Sequence, residues 1–191
     1  MNRKMLIVMV AMVATILPAV AVADVMITGN FGGNGVAVPD QFYIQPGSNY
    51  AVANATAGFG WHAKTTSESE ILGNITLGYM SNETIYEINV LDINFTAGTG
   101  TFNLTVIVPV SPGTDFPEGT TMYLSESPFY FAGTTIESSG HVDTINLATS
   151  GSTTVSFTGV TSSTTIYMAF EVGSGPTGDY TFGVSMVYSS S

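Results

Sequence analysis

Apolar residues alternate with polar or small ones along most of this chain. Ile71, Gly73, Ile75, Leu77 and Tyr79 fall on odd positions, and Phe102, Leu104, Val106, Val108 and Val110 on even ones. A two-residue period places apolar side chains on one face of an extended strand and leaves the other face wet. The same reading predicts strands over 41–45, 49–54, 59–66, 70–80, 83–95, 99–110, 120–131, 134–147, 152–160, 163–172 and 179–189. Turn clusters such as Ser111-Pro-Gly113, Phe116-Pro-Glu-Gly119 and Gly173-Ser-Gly-Pro176 separate several of them. Between Ile85 and Phe95 the apolar phase switches from even (Tyr86, Ile88, Val90) to odd (Leu91, Ile93, Phe95), which predicts a β-bulge near Val90. The Ser/Thr-rich stretch 150–165 keeps Val155, Phe157 and Val160 in step, so it reads as two strands and a turn rather than a stalk. No segment keeps a helical period. Many short strands at close spacing predict an all-β fold, a single-domain, jelly-roll-like β-sandwich, with a closed barrel as second choice.

The first residues follow a different pattern. Arg3 and Lys4 precede an apolar run from Met5 to Leu17, Pro18 breaks it, and Ala21-Val-Ala23 supplies a small-x-small cleavage site. Residues 1–23 are therefore expected to be a signal peptide, with Asp24 as the mature N-terminus and no stable membrane insertion after cleavage. Asp24, Val25, Met26, Ile27 and Thr28 then read as a short strand, followed by the glycine-rich joint Gly29–Gly35 and a sandwich domain over 36–191.

Charge narrows the partners. The chain holds 14 acidic and three basic residues, and cleavage would leave Lys64 as the single lysine or arginine. Nucleic acid and anionic lipid call for clustered Lys and Arg, so neither is an expected partner. Cysteine is absent, which removes disulfides, metal–thiolate sites and cysteine nucleophiles.

Five tripeptides fit the N-glycosylation acceptor pattern, at Asn54, Asn74, Asn82, Asn94 and Asn103. Asn74 and Asn103 fall opposite the apolar phase of their strands, where a hydrated glycan can sit. All five precede residue 106, so N-linked glycans are expected on the earlier half. Catalytic residues, metal ligands and cofactors are expected to be none. Glu87-Ile-Asn-Val-Leu-Asp92 resembles the Glu-x-Asp-x-Glu strands of jelly-roll glycoside hydrolases, but asparagine holds the central position and the phase slips. These carboxylates, and Glu68 with Glu70, read as surface residues. His62 and His141 lack zinc spacing, Asp115 and Glu118 supply too few oxygens for calcium, and the single tryptophan, Trp61, reads as a core or interface residue.

The layout resembles secreted β-sandwich filament subunits of the TasA/camelysin type, together with archaeal bundling pili and glycosylated archaeal threads. The signal, the strand Asp24–Thr28, the glycine joint, the Pro46-Gly47 turn and the terminal strand Tyr180–Tyr188 carry the resemblance. Bacterial members are lysine-rich, whereas this chain is nearly free of lysine and looks more like the archaeal threads. The resemblance implies a non-enzymatic, extracellular homopolymer for adhesion or biofilm cohesion, in which the N-terminal strand of one copy completes a sheet of the next. A monomeric cell-surface module that binds carbohydrate or protein is the alternative, and a glycan-active hydrolase ranks last.

Overall fold

A computed structural model describes residues 41–191 apart from Glu68, Met80, Ala97, 110–115 and 176–177, and gives only the backbone of Thr65 and Tyr79. The expected signal peptide, the donor strand Asp24–Thr28 and the glycine joint lie outside the described residues. The elements run β1 (Phe42–Pro46), α1 (Tyr50–Thr56), β2 (Gly60–Ser67), β3 (Glu70–Tyr79), β4 (Ile85–Phe95), β5 (Gly100–Val108) and β6 (Thr121–Ser125). They continue with β7 (Phe129–Ala132), β8 (Thr135–Ser138), β9 (Val142–Asn146), β10 (Gly151–Val160), β11 (Thr165–Val172) and β12 (Gly178–Ser190).

Two five-stranded sheets form, with orders β1-β4-β11-β6-β9 (sheet A) and β10-β5-β12-β3-β2 (sheet B). Every pairing is antiparallel. The chain passes between the sheets at β1→β2, at both ends of β4, at β5→β6 and at each step from β9 to β12. The all-β sandwich expected from the alternation is the fold.

The inner faces of the sheets enclose one core. Phe42, Phe59, Phe102, Phe170, Phe182 and Tyr188 are its largest members. Their rings meet edge-on or tilted, as for Phe42 and Phe102 at 5.4 Å and 69°, the arrangement that brings a ring's positive edge to a neighbour's face. Each fully buried Phe, Leu or Ile side chain contributes roughly 1.5–3 kcal/mol, and a cysteine-free chain depends on that contribution. Trp61 is 5% exposed and lies over Gly73, where an added Cβ would come within 2.7 Å of its ring. The glycine in the odd-numbered row of β3 is thus the space the tryptophan fills.

Three expectations change. Residues 49–54 are not a strand: Pro46-Gly47 ends β1, and the alanines at 51, 53 and 55, strong helix formers, turn the chain into α1, which buries Ala53 against the core. The stretch 120–131 breaks after Ser125, ahead of Pro128, into β6 and β7. The stretch 134–147 breaks at Ser139-Gly140 into β8 and β9. The predicted bulge does form. Glu87 pairs with Phe170 and Leu91 with Met168, so β4 carries two more residues than β11 over that span, and Asn89 adopts a φ of 51°.

Candidate functional site

The bulge in β4 organises a cleft at the margin of sheet A. β1 pairs with β4 only as far as Pro46 opposite Leu91. Beyond that point the main chain of the next turn takes over: Gly47 N–H donates to the Val90 carbonyl at 2.9 Å, and Asn49 N–H to the Asn89 carbonyl at 3.2 Å. The Asn49 side chain extends the series, its Nδ2 donating to the Ile88 carbonyl at 2.9 Å. The approach is so close that a Cβ on Gly47 would fall 2.1 Å from the Asn89 carbonyl oxygen. Glycine is required there, and it sets α1 beside the unpaired margin of β4.

Asn89 anchors the opposite wall. Its φ of 51° belongs to the left-handed region, which Asn tolerates better than most residues. Its Nδ2 donates to the Phe129 carbonyl at 2.8 Å, while the Phe129 N–H donates to its Oδ1 at 2.8 Å. A buried side chain thereby does what a neighbouring strand would do, and fixes the β7–β8 hairpin over the outer face of sheet A. Under the hairpin, Phe129, Ile136 and Ala169 form a second apolar cluster with Tyr86, Ile88, Tyr123, Val142 and Tyr167. Phe131, at the end of β7, meets Tyr86 edge-on with centroids 6.2 Å apart, and stays 48% exposed.

Between α1, β4 and Phe131 lies a cleft of about 300 Å³, lined among others by Asn49, Val52, Thr56, Tyr86, Glu87 and Phe131. Glu87 is its unusual member. The residue is 4% exposed, and neither carboxyl oxygen has a hydrogen-bond partner. Its pairing with Phe170 puts it on the inner face of sheet A. Burial raises its pKa to about 8, because the ionised form loses its hydration and gains no compensating partner. Near neutral pH Glu87 is therefore mainly a neutral acid, with an O–H to donate and a carbonyl oxygen to accept. The surface-carboxylate expectation for Glu87 is corrected here.

Asp92 does not join it. Asp92 pairs with Tyr167, a member of the outer cluster, so it sits on the opposite face of sheet A from Glu87. Burial raises the Asp92 pKa, and a hydrogen bond from Gln45 partly offsets that. Two carboxyls on opposite faces cannot flank one glycosidic bond, which both retaining and inverting hydrolysis require.

The five acceptor asparagines do not form a common site. Asn82 is exposed at a turn, with φ of 65°. Asn74 and Asn103 lie half-buried among the outer-facing positions of sheet B, and Ser156 Oγ donates to Asn103 Oδ1 at 2.6 Å. Asn54 is exposed on α1 and donates through Nδ2 to the Phe59 carbonyl at 2.7 Å. Asn94 accepts from Thr165 Oγ1 at 2.8 Å, while its Nδ2 is buried without a partner. His62 is half-buried on β2. His141 lies 3.4 Å from Asp143. Glu68 and Asp115 fall outside the described residues. Among the described residues no cluster of three His, Cys, Asp or Glu could hold a metal ion, and no helix is long and apolar enough to cross a membrane.

Sequence reasoning passed over Glu87, Asn49, Asn89 and Phe131 as site residues. The phase of β4 carried a partial signal, since an apolar even phase (Tyr86, Ile88) beside buried odd positions means that both faces of the strand are covered.

No protein-family model matches the chain, and no curated protein matches it in sequence. Among solved structures, TmCBM61 in complex with β-1,4-galactotriose is similar at 11% identity and a TM-score of 0.32, over 76% of this chain and 95% of that one. A CBM4 structure is similar at 12% identity and a TM-score of 0.30, over 85% of this chain and 89% of that one. Scores this low match no residue of this chain to a residue of theirs.

Proposed function

We propose that this chain is a secreted, N-glycosylated β-sandwich that binds carbohydrate at the cell surface without transforming it. The observation that carries the reading is the cleft beside α1, whose lining includes the unpartnered Glu87 together with Tyr86 and Phe131, two rings that meet edge-on. Such a site suits an uncharged sugar residue. Ring faces accept the apolar face of a pyranose, and a protonated carboxyl offers one donor and one acceptor to neighbouring hydroxyls. The lining holds neither Lys nor Arg to attract an anion. A second carboxyl for acid–base chemistry is missing from the same lining.

Calorimetric titration with a panel of neutral oligosaccharides tests this. The expected result is millimolar or tighter binding that weakens at least about tenfold in Phe131→Ala and in Glu87→Ala, a step of about 1.4 kcal/mol. Binding should also weaken as pH rises above 8, where Glu87 loses the proton it donates. Undiminished binding in both variants would move the site elsewhere, and a panel without a binder would remove the reading.

A second reading, a self-assembling subunit of an extracellular filament, is favoured by one feature of sheet B. Its margin at β10 is long and carries no charge. Regular fibres of the purified secreted protein in electron microscopy would support it, and dispersed particles at every concentration would count against it.

A further inference from the structure

The sandwich has four sheet margins among the described residues: β1 and β9 in sheet A, β10 and β2 in sheet B. A margin strand leaves backbone donors and acceptors unpaired, and proteins usually guard it by brevity, charge, proline or a covering segment. β1 has five residues and ends in Pro46. β9 has five and carries Asp143. β2 carries Lys64, and its register slips between Thr65 and Ser67. β10 has ten residues with neither charge nor proline, and Gly151–Thr154, Ser156 and Thr158 are exposed.

Charge is kept away from this margin over a long span. No ionisable carboxylate, lysine or arginine occurs between Asp92 and Asp115, which covers β5, or between Asp143 and Glu171, which covers β10. In a chain with 14 acidic residues, two copies repel one another over most approaches. Neither β5 nor β10 carries any of that charge, and depletion of charge is the compositional mark of an interface core.

The side-chain pattern of β10 also matches itself. Ser152, Thr154, Ser156 and Thr158 occupy the even positions with the outer-facing Thr105 and Asn103 of β5 as partners, at 2.9 Å for Thr154 with Thr105 and 2.6 Å for Ser156 with Asn103. Val155 and Phe157 occupy odd positions and pack on the core. A two-fold axis perpendicular to the sheet sets two such strands antiparallel with like faces together. Every register it allows then brings even positions against even, hydroxyl against hydroxyl on the outside, and a register centred on Ser156 also sets Val155 against Phe157 within. We propose that two copies of this chain pair antiparallel through β10, joining their two copies of sheet B into one continuous sheet. The proposal rests on the self-association reading and is independent of the cleft.

Two measurements on the secreted, full-length product test it. In sedimentation, the protein is expected to form a concentration-dependent dimer, weakened at least about tenfold by Thr154→Lys, with unchanged circular dichroism as the folding control. Single cysteines at Ser152, Thr154, Ser156 and Thr158 give the second. The native chain has none, so every disulfide-linked dimer reports the introduced thiol, and a disulfide needs Cα atoms within about 7 Å. Dimer yield should peak at one or two adjacent positions and fall along the strand. A monomer at all concentrations overturns the proposal, as does a dimer indifferent to Thr154→Lys with no peak in the cysteine series. A dimer lost in Ile27→Pro but kept in Thr154→Lys would assign the contact to the segment Asp24–Thr28 instead, and so also overturns it. None of these outcomes alters the oligosaccharide titration, so the two readings fail separately.

Discussion

Glu87 holds its proton because the fold removes water from the carboxyl and offers nothing in return. In the unfolded chain a glutamate ionises near pH 4.5, and in the folded chain Glu87 ionises near 8. Between those values the folded state binds more protons, so stability falls as pH rises through the window. The contribution is fullest below about pH 4.5 and reaches its floor above about pH 8. Each pH unit of the window costs about 1.36 kcal/mol, so the cost at pH 7 is on the order of 3 kcal/mol. Glu87→Gln keeps the shape and deletes the titration. The curve of wild-type minus variant stability, from urea unfolding at a series of pH values, should slope downward between pH 5 and 8 and flatten outside. A flat difference curve would mean that Glu87 is solvated. The identity of this residue gave no warning of its burial, because Glu in an odd phase beside Tyr86 and Ile88 reads as the wet side of an amphipathic strand.

Among the elements, the β7–β8 hairpin depends on one side chain of another strand. Asn89 supplies both the donor and the acceptor that Phe129 would otherwise lack. Asn89→Ala leaves two buried backbone groups unpaired, each at roughly 1–3 kcal/mol. Stability should drop by about 2–4 kcal/mol, and amides of 129–138 should exchange with solvent faster than those of β11. Uniform exchange across both regions would show the hairpin to be held by its apolar cluster instead. A partner forty residues away, joined through a bulge, leaves no trace in the local pattern. The bulge itself was legible from the phase slip at Val90. α1 was not, because alanines at 51, 53 and 55 mimic the strand alternation, and the turn that makes them helical depends on Gly47 seated against Asn89.

For the whole molecule, the surface sorts the acceptor asparagines. An oligosaccharide needs room at Nδ2, and Asn82 has it at an exposed turn whereas Asn94 Nδ2 is enclosed. Glycopeptide mass spectrometry of the protein expressed in a glycosylating host should find Asn82 with the highest occupancy and Asn94 with the lowest. Equal occupancy at both would mean that sugar is attached before the sandwich closes. The two-layer fold was legible because alternation at period two leaves one apolar face per strand, and two such faces close on each other. The order of strands was not, since nearly every connection after β3 changes sheets.

One such placement sets the timetable of assembly. β12 lies between β5 and β3 at the centre of sheet B, and it is synthesised after both. Until it arrives, sheet B can hold only two separate strand pairs, the β2–β3 hairpin and the long-range pair β5–β10, with no strand of the sheet to join them. Contacts between β12 and β3 bridge about a hundred residues, as from Thr181 to Thr76, and such distant closures are slow. The nascent chain therefore cannot close sheet B until its last strand has been made.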